Sequence, residues 1–149
     1  MLKLRKNKKG FTLVELIVVI AIMAVLAGTV AGVTVSQLNK NTDKTNLTQA
    51  NKIATSISGL ILESPETYLA TTGTDTFADN ADTNLITELN KEFSGKTIAN
   101  TAPAAKSGAF QVSLNEGKTL ISVTFGAKTS AYEGKGYTIS TEGVVAPIN

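Results

Sequence analysis

Residues 11–35 read FTLVELIVVIAIMAVLAGTVAGVTV, an apolar run of 25 residues whose one charged side chain is Glu15. As a helix this run is about 37 Å long, more than the roughly 30 Å of a bilayer's hydrocarbon core. It is therefore long enough to span a membrane. Lys3, Arg5, Lys6, Lys8 and Lys9 all precede it, with no acid among the first ten residues. That asymmetry keeps residues 1–10 on the cytoplasmic side and sends the C-terminal part outward. An ordinary secretory signal shares the basic start, but its apolar region is about 7–15 residues and ends at a small-residue cleavage site. Here the run is too long, and no short apolar core precedes the small residues around Ala27.

The 149 residues suffice for one modest domain. Cysteine and histidine are both absent. No disulfide framework can brace an exported head, and the usual general base, thiol nucleophile and transition-metal ligands are missing, so a non-enzymatic role without cofactor or metal is expected. The formal charge of +2 belongs to the whole chain, and without its first ten residues nine basic side chains face twelve acidic ones. A basic nucleic-acid-binding surface is not indicated for that shorter chain.

Beyond the apolar run, residues 36–45 are polar, and Asn39, Asn41, Thr42 and Asp43 are mediocre helix formers. Helix is allowed there but not demanded. Leu47, Ala50, Ile53, Ala54, Ile57, Leu60 and Ile61 then recur at spacings of three and four, the pattern of one apolar helical face. Ser64-Pro65 supplies a stop, because proline disfavours helical geometry in the residue before it. The spacing thus predicts one long helix over 11–63, or two segments joined at a weak polar neck. Residues 65–107 read as a long connection holding one short helix over about 82–93, with Leu85, Ile86, Leu89 and Phe93 on its apolar face. From Ala109 the pattern turns to β: AFQVSL, a turn at NEGK (115–118), TLISVTF, GYTIS and a brief VV at Val144. The expected fold is α+β: a long N-terminal helix, membrane-spanning then amphipathic, packed on a small C-terminal antiparallel sheet.

Lys8-Lys9-Gly10, the aromatic Phe11 and the solitary Glu15 at the head of the apolar run form the string KKGFTLVE. With its basic prelude and apolar sequel it resembles the class III leader of type IV prepilins and pseudopilins. Strong resemblance covers residues 5–32; beyond them the order long helix, connecting loop, antiparallel strands is similar. The resemblance implies a division into a cleaved leader (1–10), a transmembrane and assembly half-helix (11–35), a second half-helix (36–64) and a globular head (65–149). It implies a prepilin peptidase cutting between Gly10 and Phe11 and methylating the new Phe11 amine. It also implies that Glu15 pairs with the Phe11 ammonium of an adjacent subunit, giving a homo-oligomeric helical filament. Further implied partners are an assembly platform protein and a cytoplasmic ATPase. The expected location is the cell membrane before assembly and an extracellular pilus afterwards. A minor pilin, a pseudopilin of type II secretion or DNA uptake, and an uncleaved single-pass surface-binding protein are the alternatives.

Physical reasons accompany these roles. A glycine at position 10 lets the backbone extend into a protease cleft without a colliding side chain. A carboxylate inside an apolar helix costs about 2.5–3.5 kcal/mol on insertion scales, so Glu15 is a functional candidate by default. One departure is that many major pilins carry a helix-breaking proline where this chain has Gly32; Gly28 and Gly32 each weaken the helix by about 1 kcal/mol relative to alanine and are its candidate weak points. Their G-x-x-x-G spacing also permits close helix approach. Three further features are weaker. Asp75, Asp79 and Asp82 offer oxygen ligands but match no EF-hand spacing, and a solvated loop is the plainer reading. The sequon Asn46-Leu47-Thr48 falls within an expected helix. Tyr68, Tyr132 and Tyr137 are too scattered to form a legible binding platform, although an exposed aromatic near the C-terminus would suit adhesion.

Overall fold

The computed structural model describes residues 10–70 and 75–149. The leader expected over 1–10 lies, apart from Gly10, outside the described residues. Helix α1 (Leu13–Glu63) is unbroken, so of the two readings of the polar neck, one long helix is the one found. The chain divides into a unit ending at Leu38 and a second unit, Asn39–Asn149.

Within the first unit, α1 is apolar and every side chain from Leu13 to Leu38 is exposed. By length and composition this helix can cross a membrane. The hydroxyls of Thr29 and Thr34 donate to the carbonyl oxygens of Leu26 (3.0 Å) and Val30 (2.8 Å), so these polar groups are satisfied within the helix itself.

The second unit holds the core. Ala50, Ile53, Ala54, Ile57 and Ile61 of α1 are buried, which is the apolar face legible in the sequence; Leu47 and Leu60 pack at its margin. α1 stops at Glu63, and Pro65 then opens a one-turn helix α2 (Pro65–Tyr68) instead of merely ending the chain's helicity. Proline suits that place because its missing N–H would have been unpaired in a first turn anyway. The connection that follows is more tied down than its Thr- and Asn-rich composition suggests. Leu69 bridges to Phe77, the Ala78 N–H donates to the Tyr68 carbonyl (2.8 Å), and the Phe77 N–H donates to the Lys118 carbonyl (2.7 Å). Phe77 is buried, and its ring anchors the segment. Helix α3 (Ala81–Glu92) follows, one residue from its expected start and end, and buries Ala81, Leu85 and Leu89.

Among the described residues the strands are β1 (Ile98–Ala99), β2 (Phe110–Leu114), β3 (Leu120–Phe125), β4 (Gly136–Ser140) and β5 (Val145–Ile148), in that order across one sheet. β2 to β5 form the expected antiparallel meander; the two-residue β1, which the sequence pattern did not reveal, is parallel to β2. α3 packs on β1 and β2. Alternation puts Phe110, Val112, Ile121, Val123, Phe125 and Ile139 into the same core as the α1 face. Phe110 and Phe125 face each other across β2 and β3 with ring centroids 6.4 Å apart. The last strand starts at the second valine of the expected VV, runs three residues past it and includes Pro147, tolerated because β5 is an edge strand. Gly136 is required by packing: a Cβ there would lie 2.0 Å from the Val123 carbonyl oxygen.

Candidate functional site

The start of α1 is set by local side-chain chemistry. Thr12 precedes the first helical residue, and Glu15 stands three residues after it. The Thr12 N–H and the Thr12 hydroxyl both donate to Glu15 Oε2 at 2.8 Å, and the Glu15 N–H donates to Thr12 Oγ1 at 3.3 Å. This reciprocal arrangement is a capping box, T-x-x-E, which satisfies donors that a helix N-terminus otherwise leaves open. It was present in the sequence as Thr12-Leu13-Val14-Glu15, a signal that the spacing alone carries. The carboxylate is thus held against its own helix start, with its second oxygen available to another group.

Because Thr12 stops the helix, Gly10 and Phe11 fall outside it and carry no regular structure. Phe11 is 92 % exposed. No atom lies within 4 Å of a Cβ built on Gly10, and its backbone is not in the left-handed region. Nothing among the described residues therefore demands glycine at position 10, and glycine is not what interrupts the helix. If glycine is required there, the requirement comes from a molecule that binds this segment. The structure brings Glu15 and Phe11 to the same end of α1; Lys8 and Lys9 lie outside the described residues. Gly28 and Gly32 sit inside unbroken helix with open space beside them.

The weaker features resolve differently. Asp79 pairs with Lys118, and that hydrogen bond, followed by the ammonium's charge, holds the Asp79 carboxyl below the usual carboxylate range. Asp82 Oδ1 accepts from the Thr83 N–H at 2.7 Å. Among the described residues no group of three or more acidic side chains is arranged to hold a metal. Asn46 is only 7 % exposed, which removes the sequon as a surface acceptor. Tyr68 is buried, and Tyr132 and Tyr137 are half-buried against the core, so the suggestion of a freely exposed adhesive aromatic does not fit these three residues.

Sequence reasoning also missed Asp43. Placed in the supposed neck among poor helix formers, it is fully buried and accepts three hydrogen bonds: from the Lys128 N–H at 2.8 Å, the Thr129 N–H at 2.8 Å and the Thr129 hydroxyl at 2.7 Å. The signal was periodic: Asp43, Asn46, Ala50, Ile53 and Ile57 are spaced three, four, three and four, so the buried face begins with polar residues.

Comparison with known families matches residues 5–31 to the prokaryotic N-terminal methylation motif. Neither curated proteins nor solved structures give a match. The architecture, a long N-terminal apolar helix with an amphipathic second half on a mostly antiparallel sheet, is pilin-like. With the motif, the exposed apolar helix and the glutamate at its head in view, the chain is one that carries the class III prepilin leader of type IV pilins and pseudopilins.

Proposed function

We propose that this protein is a structural subunit of a type IV pilus, cut between Gly10 and Phe11 by a prepilin peptidase, methylated at Phe11 and polymerised through the first half of α1. One observation carries the reading: the methylation motif heads a helix whose apolar side chains from Leu13 to Val35 are exposed, whereas the same helix from Asp43 onward lines a core. Lipid covers such a surface before assembly, and neighbouring subunits cover it in a filament. Glu15 then offers its free lone pairs to the ammonium that cleavage creates on Phe11 of an adjacent copy. The roles of Gly28 and Gly32 as points of helix weakening belong to the same reading.

Mass spectrometry of surface-sheared filaments tests it. The expected chain begins at a methylated Phe11 and makes up most of the filament. A trace amount would assign it to the minor pilins, and its confinement to a secretion or DNA-uptake apparatus would assign it to the pseudopilins; both share the motif found here. An intact Met1 on the mature protein would overturn processing and leave a single-pass surface protein. Gly10→Val should block cleavage, since a branched side chain would enter the protease cleft, and leave full-length precursor in the membrane fraction by intact mass.

A further inference from the structure

The lysines of the second unit are unevenly placed. Lys40 and Lys44 flank the buried Asp43 on α1; Lys128 gives its N–H to that carboxylate. Lys106 donates its N–H to the Ala127 carbonyl at 3.1 Å, and Lys135 donates its own to Tyr132 at 3.2 Å. Lys106 and Lys128 line one cleft of about 310 Å³ together with Glu133. Five of the processed chain's nine lysines therefore gather around the loops fastened to Asp43. Facing them are Glu133, which lines the same cleft, and Asp43, whose oxygens are already engaged. The remainder of the unit has four lysines against nine acids. The ion pairs among the described residues are Lys91–Glu88 and Lys118–Asp79, so none of the five is neutralised by a direct carboxylate contact. All five are exposed or half-buried.

We propose that these lysines form a docking surface for anionic phospholipid headgroups, holding the head on the bilayer before the subunit is drawn into a filament. The proposal rests on the reading of residues 11–35 as a membrane span. Lys40 follows Val35 by five residues, which reach at most about 18 Å even fully extended. The basic end of the unit is therefore tethered within about two Debye lengths of about 8 Å each, so the attraction of an anionic surface is weak at that outer limit and strengthens as the lysines close on the headgroups. The acidic remainder is repelled from the same surface, which orients the head.

The test uses the full chain with Ser130→Cys, labelled with a fluorophore at this single thiol, in vesicles of phosphatidylcholine alone or with phosphatidylglycerol, each containing a headgroup-nitroxide lipid as quencher. Stronger quenching in the anionic vesicles is expected, abolished at about 1 M salt. Lys106→Gln and Lys128→Gln should each lower the docked-to-undocked ratio about fivefold, and Lys106→Arg should restore it. Their folds are not at stake, since Asp43 binds the Lys128 backbone and not its side chain, and the Lys106 side chain is exposed. Quenching indifferent to lipid charge, in a chain that still floats with the vesicles, would overturn the docking surface and leave the membrane span standing. The same indifference with loss of filaments in the glutamine variants would assign the lysines to the acidic surface of a second copy and likewise overturn the proposal. Failure to float would overturn the span and the docking surface together.

Discussion

Two acidic side chains of α1 show how differently a carboxylate can be used. Glu15 is exposed and spends one oxygen on Thr12; Asp43 is buried and spends both on the loop at Lys128 and Thr129. Glu15→Gln separates charge from helix start, because glutamine also serves at the third position of a capping box. The variant should insert and be cleaved as before, by intact mass, while filaments become undetectable by shearing and microscopy. Normal filaments from a strain making only this variant would remove the Glu15 charge from assembly. Asp43→Ala leaves two backbone N–H groups and a hydroxyl without their acceptor and should destabilise the head by about 2–4 kcal/mol, read as a lower urea midpoint. Asp43→Asn keeps one acceptor and should cost less.

Among the elements, α1 does two jobs with one geometry. Its first part has the composition of a membrane helix; its second has the three-and-four spacing of a helix that covers a sheet. That spacing made the core face and the stop near Ser64 legible, and alternation did the same for β2, β3 and β4. What escaped was local: α2 is four residues long and β1 only two, too short for any period to show. The segment around Phe77 escaped because its order comes from Lys118, far along the chain. Asp79 reinforces that latch by pairing with the Lys118 side chain. Its folded-state pKa is lowered, so its contribution to stability is present above the ordinary carboxylate value and is lost as pH falls through the lowered one. Asp79 is fully exposed and the effect is small. Asp79→Asn should therefore lower the urea midpoint slightly at pH 7 and leave it unchanged near pH 2.

For the whole molecule, the proposed processing would reverse the sign of the charge. The full chain has a pI of about 8.8. Loss of the leader's five basic residues leaves an excess of acids, so isoelectric focusing should move the processed protein to an acidic position. A basic mature form would contradict cleavage after Gly10.

The sequence by itself determined the span-length apolar run, the leader-like string around Gly10 and Phe11, the isolated glutamate, and the order helix, connection, strands. These are properties of composition and of periods two and 3.6, which a chain displays without folding. Even the Thr12–Glu15 capping box belongs to this group, since its partners are three residues apart. Only the tertiary structure decided that Asp43 is a buried clasp, that Asn46 is closed to modification, that Phe77 anchors the connection and that five lysines share one end of the head. Each depends on residues some tens of positions apart being brought together by burial of the common core, and such meetings leave no period in the sequence.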